Sequence, residues 1–195
     1  MNVRSVCVLT LLCAVSMNAQ VISTAETSGR GKTTLLGSFN ANRYAGVSGT
    51  GGYFWGGRGI TDSFDVFTID GWSTVPRATQ AWVGAGSNLR FAKLFGWDMS
   101  LYQYATTPVN RRAMASTLLY DACWINSRHV GAVVPYIGVN AIVPIGNRNQ
   151  STFTPPRTEY NVPIGLSVPV GKTSVYFEVD AGKMMLFSGG VSLTR

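Results

Sequence analysis

The strictest constraint on this chain is a period of two. From Glu159 to Val168, the residues Tyr160, Val162, Ile164, Leu166 and Val168 alternate with Glu159, Asn161, Pro163, Gly165 and Ser167. Successive side chains of an extended strand leave on opposite faces, so one face here is apolar and the other polar or small. The pattern recurs over 174–180, where Val175, Phe177 and Val179 share a face. It recurs again over 187–194, with Phe187, Gly189, Val191 and Leu193 opposed to Ser188, Gly190, Ser192 and Thr194. Val133 to Val143 and Ala81 to Phe91 repeat it, and the second face of the latter carries Gln80, Trp82, Asn88 and Arg90. A spanning helix needs about twenty consecutive apolar residues. The longest candidate past the amino terminus, Val130 to Val139, is broken by Gly131, Pro135 and Gly138.

Turn signals divide the chain into ten expected strands: 32–41, 44–60, 64–73, 79–91, 97–107, 113–125, 130–144, 159–169, 173–180 and 185–194. Every second connection is short (61–63, 92–96, 126–129 and 170–172), and the longest of the others, 146–158, contains Pro155-Pro156. Short turns on one side, longer loops on the other and an even strand number are the signature of a transmembrane barrel. The expected fold is therefore all-β, an antiparallel up-and-down transmembrane β-barrel of ten strands, with eight as the alternative. The alternative stays open because Gly49, Gly51, Gly52, Gly56 and Gly57 soften the second segment. Pro135, Pro144, Pro163 and Pro169 fall in or at the ends of strands and each removes a ladder donor. They are expected to mark strand ends or bulges.

With 46% hydrophobic and 13% charged residues, the chain has a large apolar surface to bury in a core or in lipid. Residues 1–19 read as a cleaved signal peptide: Arg4, then an apolar run from Val6 to Val15, then Ser16 to Ala19. Residues 20–31 are expected as a short periplasmic segment and 32–195 as the barrel domain. Cys7 and Cys13 leave with the signal, so Cys123 is the remaining thiol and no internal disulfide forms. The net charge of +7 is spread along the chain, with Arg111-Arg112 the only adjacent basic pair, which disfavours a nucleic-acid partner.

With the amino terminus on the periplasmic side, Phe64, Phe91, Phe95, Trp97, Trp124 and Phe177 fall near one rim, and Phe39, Tyr44, Trp72, Tyr160 and Phe187 near the other. Two aromatic bands suit a barrel whose ends lie at membrane interfaces. The inward faces are expected to carry Arg90, Asp121, Glu159, Asn161, Glu178 and Asp180, with Arg58 and Asp65 as further candidates. Trp82, Tyr102, Tyr104 and Tyr136 are expected to point inward and fill the bore.

The runs Pro135-Tyr136-Ile137-Gly138-Val139, Val143-Pro144-Ile145-Gly146 and Tyr160 through Gly171 resemble the carboxy-terminal half of small bacterial outer-membrane β-barrel proteins. Gly59 to Val66 is similar to the hairpin these proteins use between strands. The resemblance implies export across the inner membrane of a Gram-negative cell, insertion into outer-membrane lipid, and a barrel-assembly machinery that reads the last strand. In the family that strand usually ends in an aromatic residue; here it ends Ser192-Leu193-Thr194-Arg195. Family members serve as anchors, small pores, adhesins and lipid enzymes, so the resemblance does not define an activity.

Motifs for catalysis or cofactors are not found. Gly29-Arg30-Gly31-Lys32-Thr33-Thr34 is close to a phosphate-binding loop, but Glu26 stands where a glycine is needed and a strand follows instead of a helix. His129, the single histidine, reads as a turn residue without a role, and one His with one Cys at unrelated spacing makes no metal site. Two functions remain: a non-catalytic outer-membrane barrel, structural or forming a small porin-like pore, and a secreted soluble barrel, lipocalin-like in shape, that binds a small apolar ligand. Neither calls for a cofactor. Loop 146–158 is the expected exposed contact surface.

Overall fold

A computed structural model describes residues 24–44, 47–76, 78–109, 117–146, 157–182 and 184–195. The signal peptide expected at 1–19, and most of loop 146–158, lie outside the described residues. Ten antiparallel strands close into one barrel: β1 (Thr33–Tyr44), β2 (Val47–Thr61), β3 (Phe64–Val75), β4 (Ala78–Leu94), β5 (Trp97–Pro108), β6 (Thr117–Ser127), β7 (Val134–Gly146), β8 (Glu159–Val170), β9 (Thr173–Gly182) and β10 (Met184–Thr194). Each strand pairs with its sequence neighbours, and β1 closes on β10 from Thr34–Thr194 to Tyr44–Met184. Both described chain ends lie at the proximal end of the barrel, with the two-residue turns Asp62–Ser63, Phe95–Gly96 and Gly171–Lys172. The expected asymmetry of connections is only partly present. At the distal end two connections, 109–116 and 147–158, are long, whereas those after β1, β3 and β9 are no longer than the two-residue proximal turns, and the fourth proximal connection, expected at 126–129, spans 128–133.

The register fixes the size of the barrel. From Tyr44 the pairing runs through Met184, Gly182, Asn161, Asn140, Cys123, Tyr102, Asn88, Asp65 and Gly59 and returns to Lys32, a stagger from position 44 to position 32. Such a stagger over ten strands tilts them by about 40° and sets a backbone radius of about 10 Å, a bore that large side chains can fill.

The two faces follow the alternation read from the sequence. Val162, Ile164, Phe177, Val179, Phe187 and Val191 are exposed on the outer face, while Asn161, Glu178, Asp180, Ser188 and Ser192 are buried inside. Outer aromatics pair across strands near each rim: Phe39 with Trp72, ring centres 5.8 Å apart, and Phe91 with Trp124 at 6.4 Å. Tyr44 keeps its place at the distal end of β1, where its side chain is outside the described residues.

The glycines of β2 to β4 have a packing role that the sequence alone did not reveal. A Cβ at Gly57 would collide with the Trp55 ring, one at Gly71 with Trp82, and one at Gly86 with Tyr104 and Phe67. The softness expected of the Gly-rich segment is thus space reserved for rings. Three of the prolines sit near strand ends, but Pro163 lies within β8. There the β7–β8 register skips from Ile137–Ile164 to Asn140–Asn161, and Pro163 is fully buried beside Gly138. The residue without an N–H thus occupies the gap in the ladder.

Val162→Arg would place a charge on the outer face, where it is expected to cost about 2–4 kcal/mol if it lies near the midplane of a bilayer. Equilibrium denaturation of the refolded barrel in lipid vesicles measures this, and a cost under about 0.5 kcal/mol would show that the position is not in contact with lipid.

Candidate functional site

The candidate site is the lumen and its proximal mouth. Residues 24–31 precede β1 and cross that mouth as a strap, which the sequence offered only as a segment ahead of the barrel. The Gly31 N–H donates to the Gly59 carbonyl (2.8 Å) and the Gly59 N–H to the Lys32 carbonyl (2.9 Å). A side chain at 59 would run into the Gly29 carbonyl, so only glycine lets the strap lie this close to β2. The Arg30 N–H donates to Asp62 Oδ1 (3.1 Å), the Thr27 hydroxyl to the Asp62 carbonyl (2.7 Å) and the Ser28 N–H to Asp65 Oδ2 (2.7 Å).

The strap then turns inward. Asn88 Nδ2 donates to the Glu26 carbonyl (3.4 Å), the Ala25 N–H to Ser127 Oγ (3.1 Å), and the Tyr102 hydroxyl to the Thr24 carbonyl (3.2 Å). Ala25 is fully buried. His129, on the β6–β7 connection, meets Glu26 with Nε2 2.7 Å from Oε1. This histidine, read from the sequence as having no role, secures the strap on the far side of the mouth. Ser127 and His129 are thus engaged by separate strap residues, and no hydrogen bond joins them among the described residues.

Above the strap the lumen divides into two walls. On β2 to β5, Tyr53, Trp55, Phe67, Tyr102 and Tyr104 are buried, with Trp82 packed against them. Their ring centres lie 5.1 Å apart for Trp55–Phe67 and 6.2–6.3 Å for Phe67 with Tyr102 and Tyr104. On β6 to β9 the inner face carries the acids and amides, with Asp121, Asn140, Glu159, Asn161, Glu178 and Asp180 all at most 4% exposed, interleaved with Ile125, Tyr136 and Tyr176 of the same apolar cluster. Asn140 Nδ2 donates to Asp121 Oδ1 at 3.4 Å.

The structure therefore groups five of the six inward polar residues chosen from the sequence on one wall. The sixth, Arg90, stands apart at the proximal rim of β4. Its Nη1 is 3.7 Å from Asp98 Oδ1, its Nη2 donates to the Asp62 carbonyl (2.8 Å), and Lys93 Nζ is 3.3 Å from Asp98 Oδ2. Of the two further candidates, Asp65 is inside and holds the strap, whereas Arg58 is exposed on the outer face. Glycines on both faces of β2 gave no parity to place it; the inner positions proved to be Tyr53, Trp55 and Gly57. Sequence reading missed Ser127, Asn88 and Glu26, because strap residues have no periodicity and their partners lie up to 103 residues away.

No family model matches this chain, and no curated protein matches it. Among solved structures it is similar to the KdgM porin, with 9% identity over 83% of this chain and 98% of that one, at a TM-score of 0.44. It is also similar to the translocator domain of the autotransporter NalP from Neisseria meningitidis, with 10% identity over 85% of this chain and 88% of that one, at a TM-score of 0.45.

Hydrogen bonds to a carboxylate are worth about 1.5–3 kcal/mol each. The double variant Asp62→Ala/Asp65→Ala removes two of them from the strap and is expected to speed tryptic cleavage after Arg30 by at least about tenfold. Timed digestion of the folded barrel followed by mass spectrometry checks this, and an unchanged rate would mean that the strap is not held by these carboxylates.

Proposed function

We propose that the chain is an integral outer-membrane β-barrel with a structural or small-pore role and no catalysis, and that its lumen is closed at rest. The observation that carries this reading is the distribution of polarity across the barrel wall. The outer face presents Leu35, Phe39, Phe54, Val139, Ile164 and Val191 half exposed, while the inner face buries carboxylates and amides. Apolar surface on this scale is stable only when lipid or a partner covers it. A secreted soluble barrel for an apolar ligand needs the reverse arrangement, with the greasy face inward. Closure at rest is supported by the strap across the mouth and by the ring-packed wall above it.

In this reading the barrel partners outer-membrane lipid and is inserted by the barrel-assembly machinery after the signal peptide is removed. The proximal end, with both described chain ends and without either of the two long connections, faces the periplasm. Phe95, fully exposed at the tip of a proximal turn with φ 52, and Phe91 and Trp124 beside it supply an interfacial anchor on that side.

Washed outer membranes run unboiled and boiled on a gel test the membrane reading. A faster unboiled band in the membrane fraction is expected, and a soluble protein with a single band would replace the reading with the ligand-binding barrel. Planar-bilayer recording tests closure. The wild-type barrel is expected to show no steady conductance, and Tyr53→Ala/Trp55→Ala/Phe67→Ala, in material that keeps the heat shift, to show one. Steady wild-type conductance would establish an open pore instead.

A further inference from the structure

Two carboxylates of the acidic wall, Asp121 and Asp180, have no ion pair among the described residues. Six of the nine acidic residues of the chain are buried, Asp65, Asp98, Asp121, Glu159, Glu178 and Asp180, and no lysine or arginine is buried among the described residues. The proximal pair is compensated, Asp98 by Arg90 and Lys93 and Asp65 by the Ser28 N–H. Asp121 and Asp180, deeper in the lumen, have no such basic partner among the described residues. Asp180 is 1% exposed and neither of its carboxylate oxygens has a hydrogen-bond partner. A buried carboxylate with no partner is stable only when a proton, a basic side chain or a cation neutralises it.

The neighbouring amides indicate which of these it is. Asn161, also 1% exposed, has neither amide atom partnered, and Asn140 Oδ1 is unpartnered as well. Buried amides are ordinarily satisfied. Asn140 and Asn161 are directly opposite on β7 and β8, Asn161 is opposite Gly182 on β9, and Asp180 follows two positions along the same inner face. Directly opposed side chains stand about 5 Å apart and diagonal ones about 7–8 Å, within reach of a common centre. Gly182 keeps that centre open: a Cβ there would collide with Asn161 Oδ1. Carboxylates alone do not complete a site, since among the described residues no three His, Cys, Asp or Glu side chains converge. The unpartnered amide oxygens of Asn140 and Asn161 are the further oxygen donors a hard cation takes.

We propose that Asp180, Asn161 and Asn140, with Asp121 beside them, form a binding site for a hard divalent cation of the calcium type inside the barrel. All the atoms offered are oxygen except the amide nitrogens, the donor set that calcium prefers and that soft metals do not. The cation neutralises Asp180 and Asp121 and ties β7, β8 and β9 together where Pro163 leaves the β7–β8 ladder incomplete. The inference rests on the closed barrel and not on its membrane location.

The test uses the mature chain refolded in detergent, with the heat-shift gel confirming the barrel for each variant, so that failure of the barrel reading is scored separately from failure of the site. Terbium luminescence sensitised by the lumen aromatics, displaced by calcium, reads binding. Saturable binding is expected in the wild type, weakened at least tenfold in Asp180→Asn and in Asn161→Leu and unchanged in Asp70→Asn on the outer face. Thermal unfolding gives an independent sign. In chelator, Asp180→Asn is expected to be at least as stable as the wild type, because it removes an unpaired buried charge. At a hundredfold excess of calcium over its Kd, the wild type should gain roughly 5–10 °C and become the more stable of the two. Absence of saturable binding in the wild type, equal binding by both lumen variants, or a stability order that ignores calcium would each overturn the proposal, the last showing a protonated carboxylate in place of a bound cation.

Discussion

Closure of β1 on β10 is the constraint on which the rest of the structure depends. An open ten-stranded sheet would leave two edges of unpaired N–H and C=O groups, and in an apolar surrounding each group would be costly. Here the ladder runs from Thr34–Thr194 to Tyr44–Met184, and reciprocal bonds between Thr33 and Arg195 extend it to the last residue. Once closed with this stagger, the sheet has one inner face of fixed radius, and every side chain on it must share that volume. The aromatic packing, the ring-accommodating glycines and the buried acids are consequences of that space being finite.

The same closure sorts the charges. Among the described residues no lysine or arginine is buried, and Arg58, Lys93 and Arg128 are exposed on the rims or outer face, whereas six of the nine short carboxylates are retained inside. A short acid held at 1–4% exposure cannot reach bulk water as a lysine can by extending its stem. The two acids nearest the proximal mouth are met by strap or rim groups. Of those deeper in the barrel, Asp121 accepts from the Asn140 amide on the neighbouring strand, and neither oxygen of Asp180 has a hydrogen-bond partner. Depth in the lumen therefore decides which chemistry is available to neutralise a carboxylate.

How much of this was legible in the sequence depended on whether the information was local. Alternation assigned the faces of β7 to β10 residue by residue, because parity along a strand is a property of a few consecutive positions. It placed Asn161, Glu178 and Asp180 inside without any knowledge of their neighbours. It could not place Arg58, since glycine reports no parity. Nor could it show that Asn140, Asn161 and Gly182 lie in one row, because that follows from the register of three strands. The strap was invisible for a related reason: Ala25 and Ser127 are 102 residues apart, and nothing periodic links them.

The two closures of the lumen differ in kind, and the difference bears on how such a barrel could ever conduct. The outer edge of the strap is held by hydrogen bonds to the exposed Asp62 and His129, which water can replace one at a time, while its inner residues are held by the buried Ser127, Asp65, Asn88 and Tyr102. The ring wall is held by contacts among Tyr53, Trp55, Phe67 and Trp82 over glycines, with no water to substitute for a lost contact. Local opening should therefore begin at the strap and stop at the rings. Passage through the barrel requires the β2–β5 wall to repack, and the acidic wall opposite would then line the opening and favour cations over anions.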